Sequence, residues 1–168
     1  MRAHEIFQNM SPALSVEIFG YLQREERPVL KAATQGLAQQ RKLRAVFVER
    51  KPPNERFAWL RNAVSNKISD LYAQHLLRAW LAGAHKQMLC DFLDSLGVEH
   101  DDEGMSAQLP DSPPKEKLAE ALAQLLAKYP AEAVAVYLQA FHDLEGEATW
   151  PPLGELLRED DRLKLGAL

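Results

Sequence analysis

The sequence predicts an all-α protein, an antiparallel bundle of about seven to nine helices. Residues 66–96 carry apolar side chains at spacings of three, four and one, the pattern of an amphipathic helix. Prolines and glycines interrupt similar patterns elsewhere and thereby mark helix ends. The one run of β-formers, residues 46–48, has no partner strand, so we interpret it as a helical turn or an extended connector.

The N-terminal helices are delimited by prolines. A short helix is expected at 4–10, and Ser11-Pro12 predicts the start of the next one. The serine hydroxyl accepts from an unpaired backbone N–H, and proline has no N–H to leave unpaired. Further helices are predicted at 28–40 and, after the break at Pro52-Pro53, at 54–64.

The central stretch is predicted to form two helices, roughly 67–82 and 85–96. Gly83 indicates a break, a kink or a close crossing, since glycine inside a helix costs about 1 kcal/mol relative to alanine. Gly97 is expected to end the second helix, because glycine adopts the left-handed conformation without a side-chain clash. Val98 is placed to supply the accompanying apolar contact.

The C-terminal part begins with an acidic loop, 98–112, which is followed by helices that prolines delimit. Ser112-Pro113 predicts another capped helix start. Pro130 ends that helix and begins the next, whose apolar face runs to Leu144. Gly146 precedes a last short helix.

We predict one domain over residues 1–168, with sub-bundles 1–64 and 65–168 as an alternative. The predicted core consists of the large apolar residues on the helical stripes: Ile18, Phe19, Leu22, Leu60, Leu71, Leu77, Trp80, Leu81, Leu89, Phe92, Leu93, Leu122, Leu126, Val134, Leu138 and Phe141.

Composition favours a cytoplasmic globular protein. Hydrophobic residues are 46% and charged residues 26% of the 168 positions, as in ordinary globular domains. No apolar run approaches the roughly 20 residues that cross a bilayer. The first ten residues lack the pattern of a secretory signal, and the single Cys90 cannot form an internal disulfide.

Charge is distributed unevenly along the chain. Residues 1–67 contain 12 Lys and Arg against 6 Asp and Glu, a net charge of +6. Residues 68–168 contain 8 against 18, a net charge of -10. This asymmetry is the most informative feature of the composition.

The densest positive charge lies in residues 41–61, which contain seven Lys and Arg against two acidic residues, interleaved with aromatic side chains. Such a stretch can bind phosphates and stack on bases, or it can face the acidic half of the chain. We favour the second interpretation, because the overall charge is negative. The candidate binding residues are Arg41, Lys42, Arg44, Arg50, Lys51, Arg56, Trp59 and Arg61.

No motif predicts a catalytic residue, a metal or a cofactor. A calcium-loop alignment of residues 99–110 puts Pro110 where a bidentate carboxylate is required. His75, His85 and His100 are the residues that an enzyme hypothesis would test first, but their spacing alone supplies neither a cleft nor a nucleophile.

The pattern Trp80-Leu81, His85, Met88-Leu89, 91–94, Leu96-Gly97 and His100 resembles that of a small family of uncharacterised bacterial all-helical proteins. The resemblance covers most of the chain. It implies an all-helical fold and a cytoplasmic location, and it carries no activity or ligand.

The function that the sequence favours is a helical protein-interaction or scaffold module, with a protein partner or self-association expected. The alternative is a nucleic-acid-binding regulatory protein that uses the basic stretch 41–61. An enzyme is less favoured than either, and no membrane association is expected.

Overall fold

A computed structural model of the chain describes residues 1–143 and 150–166. Within these ranges every regular element is a helix and none is a strand, which confirms the all-α prediction. They contain ten α-helices, and the one beyond the predicted number forms at the run of β-formers. The predictions for Leu144 and Gly146 lie outside the described residues.

The chain divides into two compact units, Arg2–Trp80 and Leu81–Leu168, the second of which also includes Met1. The division falls at residues 80–81, whereas the alternative sub-bundles were placed at 64–65. With this boundary the first unit carries 13 Lys and Arg against 7 Asp and Glu, and the second carries 7 against 17. The net charges of +6 and -10 therefore coincide with the structural units.

The first unit consists of five helices, a 3₁₀ helix and most of a sixth helix. These are α1 Ala3–Asn9, α2 Pro12–Glu25, α3 Arg27–Gln40, α4 Ala45–Glu49, α5 Pro53–Val64, the 3₁₀ helix Lys67–Ser69, and α6 Asp70–Ala84. Helix α5 packs against α1, α2, α3 and α4. At its centre the ring of Phe19 lies 5.7 Å from that of Phe7 and 5.8 Å from that of Phe57, centroid to centroid.

The inward face of α6 differs from the predicted stripe. Ala73, Leu76, Leu77 and Trp80 are buried, at helical spacings of three, one and three. Leu71 lies off this face and is 60% exposed, so its assignment to the core was wrong. A dense run of apolar residues supports more than one stripe, and only the tertiary contacts select the buried one.

The second unit contains the end of α6, four further helices and a 3₁₀ helix. These are α7 Lys86–Leu96, α8 Lys115–Lys128, α9 Ala131–His142, α10 Pro151–Glu159 and the 3₁₀ helix Asp161–Leu163. Phe141 lies between Phe92 and Trp150, at centroid distances of 5.4 and 5.0 Å. Leu126 and Phe141, both predicted to be core residues, are only partly buried. No helix in the described ranges is long and apolar enough to cross a membrane.

Among the helix ends that a serine or a glycine predicts, those at Ser11 and Gly97 are confirmed and that at Ser112 is wrong. Ser11 Oγ accepts from the Leu14 N–H at 3.1 Å, which caps α2 as predicted. Gly97 ends α7 with φ 72°, and Val98 is buried beside it. The expected Ser112 cap does not form, because α8 begins only at Lys115 after Pro114. Proline disfavours helical geometry in the residue before it, and a second proline follows Pro113.

Candidate functional site

Helix α4 presents an exposed apolar surface with positive charges around it. Leu43, Val46 and Phe47 are 45%, 37% and 60% exposed, large values for apolar side chains. We call this region the α4 surface and define it by six residues: Lys42, Leu43, Arg44, Val46, Phe47 and Arg50. Contiguous exposed apolar side chains with a polar rim are typical of interaction sites.

The local sequence explains why α4 turns this face outward. Val48 is buried and fixes the inward side of the helix. At 100° per residue, positions 46 and 50 point away from Val48, and position 47 lies to one side. Positions 47 and 49 flank this outer face on its two sides, so that Phe47 lies nearer to Arg50 and Glu49, which is also exposed, lies nearer to Val46.

The turn before α4 is fixed by backbone geometry. Lys42 has φ 54°, in the left-handed region that non-glycine residues seldom occupy. The Leu43 N–H donates to the Ala38 carbonyl at 2.9 Å, which closes the C-terminal end of α3. Arg44 is extended and immediately precedes the first residue of α4. The side chains of the α4 surface thus stand on an ordered turn and a short helix.

Three of the predicted binding arginines hold the fold together, and we call Arg41, Arg56 and Arg61 the anchored arginines. Arg41 donates to the Leu37 and Ala63 carbonyls at 3.3 and 2.9 Å. Arg56 donates to the Glu49 carbonyl at 3.1 Å and to the Gln23 side chain at 2.8 Å. Arg61 donates to the carbonyl of buried Met10 at 2.8 Å.

Trp59 and Lys51 are also engaged within the first unit. The Arg41 guanidinium lies 5.8 Å from the centre of the Trp59 ring, so this ring already has a cation over it. Lys51 Nζ lies 4.0 Å from a Glu55 carboxylate oxygen. The Trp59 ring is thus partly covered, whereas the Lys51 side chain is still 40% exposed and has a partner only at the limit of ion-pair distance.

Lys42, Arg44 and Arg50 differ from the other predicted binding residues, and we call them the exposed cations. All three are exposed, and across residues 1–143 and 150–166 they have no ion-pair partner. The structure therefore divides the predicted set of eight into exposed and engaged residues. It adds Leu43, Val46 and Phe47, which are absent from the predicted set because that set contains only positive charges and Trp59.

A second exposed apolar region lies beside the end of α3. Ile68 and Leu71 are 67% and 60% exposed. Gln40 Nε2 donates to the Ile68 carbonyl at 3.0 Å, and Gln40 Oε1 accepts from Ser69 at 2.9 Å. Since Gln40 stands three residues before Leu43, this region adjoins the turn from which the α4 surface begins.

The second unit contains a cleft of about 420 Å³, which is lined by Asp91, Asp94, Ser95, Gln124, Leu125 and Lys128. Partial burial alone raises the pKa of Asp91, but hydrogen bonds from Lys128, Tyr129 and Gln87 outweigh it and lower that pKa to about 2. The Asp91 carboxylate thus already accepts hydrogen bonds from its neighbours, including one from Tyr129 Oη at 2.5 Å.

The histidines singled out for an enzyme hypothesis do not form an acid–base set in the structure. His75 is exposed on α6, and His85 precedes the first residue of α7. His100 lies in the acidic loop, with Nδ1 2.7 Å from the Asp101 carbonyl oxygen and Nε2 2.9 Å from Asp94 Oδ1. Both oxygens are acceptors, so the ring makes both bonds only when it is doubly protonated.

A histidine–carboxylate pair that the sequence did not reveal joins α1 to α6. The His4 ring Nδ1 lies 2.7 Å from Asp70 Oδ1, and the His4 backbone N–H donates to the same oxygen at 3.0 Å. Burial opposes ionisation of Asp70, but these bonds and one from Gln74 outweigh it, and the pKa of Asp70 is lowered. The pair fastens the N-terminal helix to the first residue of α6.

Comparison with known proteins identifies no relative: no protein-family model, curated protein or solved structure matches the chain. Within the described ranges, no group of three or more His, Cys, Asp or Glu side chains is arranged to hold a metal ion.

Proposed function

We propose that the chain is a helical protein-interaction module whose α4 surface binds a protein segment that carries acidic side chains around apolar ones. The observation that carries this proposal is Phe47, 60% exposed on a helix whose neighbouring Val48 is buried. An aromatic side chain inside a ring of polar groups is the usual anchor of a protein interface. The exposed cations supply the rim, and their charge selects an acidic partner.

Two features of the α4 surface favour a protein over a nucleic acid. First, Leu43 and Val46 contribute aliphatic area, which buries well against apolar side chains but neither pairs with a phosphate nor stacks like a ring. Second, each anchored arginine is held by one or two hydrogen bonds to backbone or amide oxygens, which fix its guanidinium within the first unit. Of the seven cations that the sequence suggested for phosphates, three are exposed without an ion-pair partner in the described ranges, and a fourth, Lys51, is 40% exposed beside Glu55.

The expected affinity is modest. Three apolar side chains and three cations form a small interface, and interfaces below about 1,200 Å² are commonly transient. Exposed charge pairs contribute only about 0 to 1 kcal/mol each, so most of the affinity must come from the apolar residues. A Phe47→Ala change is therefore expected to weaken binding about tenfold or more, since truncation of a central anchor costs over 1 kcal/mol.

The proposal is tested by capture of partners from native lysate, compared among three proteins: wild type, the double variant Leu43→Ala and Phe47→Ala, and a Val16→Ala control. Val16 is 49% exposed on α2 and lies outside the α4 surface. We expect wild type and the Val16→Ala control to capture the same proteins, and the double variant to lose them while its melting temperature stays unchanged.

A nuclease-treated arm separates the two classes of partner. Capture that survives nuclease and depends on Leu43 and Phe47 supports the proposed function. Capture that disappears with nuclease, and that depends on Lys42, Arg44 and Arg50, would instead assign the surface to nucleic acid. Equal capture by wild type and the double variant would show that the α4 surface does not bind the partner.

A further inference from the structure

We propose that the protein partner of the α4 surface is a second copy of this chain, which docks through its acidic loop. This inference rests on the proposed function and names its partner. Within the acidic loop 98–112, the docking residues lie in the segment 98–106, which follows α7. The starting observation is that the net charges of +6 and -10 belong to separate units of one chain, so each copy carries both halves of a complementary pair.

The acidic loop offers the chemistry that the α4 surface requires. Glu99, Asp102 and Glu103 are exposed, and within the described part of the chain they have no ion-pair partner. Met105, in the same loop, is partly exposed and supplies an apolar side chain. The loop thus combines three carboxylates that have no ion-pair partner in the described ranges, besides Asp101, with an apolar group, as the α4 surface combines three positive charges with Leu43, Val46 and Phe47.

Hydrogen bonds hold the acidic loop in one conformation. The Asp101 carboxylate accepts from the Glu103 and Met105 N–H groups, both at 2.9 Å. The Asp101 N–H donates to the Met105 carbonyl at 2.9 Å, and His100 joins the loop to Asp94 of α7. A segment ordered before binding loses less conformational entropy on docking than a flexible acidic tail would.

Gly104 brings the acidic loop against α7. It has φ 72°, and a Cβ at this position would lie 2.6 Å from Leu89 Cβ and 3.1 Å from the Cys90 backbone nitrogen. Both the conformation and the close approach therefore require glycine. With Gly104 buried, the neighbouring Asp102 and Glu103 side chains are left on the exposed side.

A charge-swap experiment tests the pairing. One variant reverses the exposed cations, with Lys42→Glu, Arg44→Glu and Arg50→Glu; the other reverses the loop, with Glu99→Lys, Asp102→Lys and Glu103→Lys. Each variant alone then places like charges opposite each other, whereas a mixture of the two restores opposite charges at both kinds of contact. Sedimentation velocity of the full-length proteins measures the association.

Wild type is expected to show an average mass that rises with concentration up to about 1 mM, because a small and transient interface has a dissociation constant toward the millimolar end of the affinity scale. Each variant alone is expected to stay monomeric, and the equimolar mixture to associate again. About 1 M salt should weaken the association of wild type and of the mixture by the contribution of the charge pairs, since the Debye length falls to roughly 3 Å. A control that reverses Glu17, Glu25 and Glu120, exposed acidic residues outside the loop, should behave as wild type.

The outcomes separate this inference from the proposed function. A wild type that stays monomeric up to about 1 mM overturns the inference, and so does a mixture that associates no better than its components. If partner capture from lysate still depends on Leu43 and Phe47 in that case, the proposed function stands with a different acidic partner. Circular dichroism of every variant ensures that the loss of association is not a loss of folding.

Discussion

The anchored arginines and the exposed cations occupy the same 21-residue stretch, yet their side chains differ in what they bind. Arg41, Arg56 and Arg61 donate to carbonyl or amide oxygens inside the first unit. The exposed cations have no ion-pair partner in the described ranges. A cluster of positive charges in a sequence therefore does not by itself identify a binding surface. The side chains that form hydrogen bonds within the fold must first be distinguished from the exposed ones.

The contacts of the anchored arginines differ from those expected if acidic residues of the C-terminal part neutralised the basic stretch. The bonds of the anchored arginines go to uncharged oxygens. Removal of such a bond costs stability at any ionic strength, whereas removal of an exposed cation has little effect on the fold. Stability and binding should thus respond to different residues of the stretch.

The largest expected effect is that of Arg61→Ala. It removes the donor to the carbonyl of buried Met10, and a charge-assisted hydrogen bond contributes about 1.5 to 3 kcal/mol. The free energy of unfolding, measured by urea denaturation, should fall by that amount. The matched change Arg50→Ala should stay within about 0.5 kcal/mol of wild type. If the two variants lose the same free energy of unfolding, the anchored and exposed residues do not differ in their contribution to stability.

A smaller effect is expected for Arg41→Lys, which keeps the charge. A lysine ammonium cannot span the Leu37 and Ala63 carbonyls while it also covers the Trp59 ring, as the guanidinium does. The loss should be about 1 kcal/mol in the same denaturation assay. Arg44→Lys, the corresponding change at an exposed cation, should be neutral; a destabilisation there would show that Arg44 has a structural role too.

The smallest effect is expected at His100, whose charge depends on pH and whose ring is hydrogen-bonded to Asp101 and Asp94. Its bond to the Asp101 carbonyl, followed by that to the Asp94 carboxylate, raises the pKa of His100 above its usual value. The stabilisation is therefore fully present below the unfolded pKa, about 6.5, and is lost as pH rises through the higher folded value. Hydrogen exchange at the Gly104 and Met105 amides should accelerate beyond its intrinsic pH dependence over this window.

The His100→Gln variant should lack this additional pH dependence, because glutamine does not titrate. His75→Gln, at an exposed position on α6, should retain it. If wild type and the His100→Gln variant show the same pH profile, His100 does not control the loop.

The helices of this chain were predictable because their signals are local. Apolar spacing, Ser11-Pro12 and Gly97 each act within a few residues of the helix that they define. Leu71 and Ser112 were assigned wrongly for two physical reasons. An apolar-rich helix offers several stripes, of which packing selects one, and a second proline moves the start of a helix beyond the first.

The division of the basic stretch was not predictable from the sequence. Arg41 binds a carbonyl 22 residues away and Arg61 one 51 residues away, and no local pattern marks such partners. Val46 and Phe47 are residues with high β-propensity, and this property does not indicate that they lie on the outer face of a short helix. The candidate surface thus became visible only once the buried side of α4 was known.

The central claim is that the exposed cations bind a partner and the anchored arginines hold the fold. Two triple variants that each remove three positive charges test it: Lys42→Gln, Arg44→Gln and Arg50→Gln in one, and Arg41→Gln, Arg56→Gln and Arg61→Gln in the other. A variant that replaces neighbouring residues such as Arg41, Lys42 and Arg44 would combine an anchored arginine with two exposed cations and could not separate their effects. The decisive measurement is the melting temperature of both variants at low and at high salt, with partner capture determined in parallel.

We predict that the first variant melts as wild type does at both salt concentrations and loses its partner. We predict that the second variant melts at least several degrees lower at both salt concentrations, since about 1 kcal/mol shifts the midpoint by roughly 2 to 8 °C in domains of up to 250 residues. Equal melting temperatures for the two variants, or capture that survives in the first, would contradict the division between binding and structural cations.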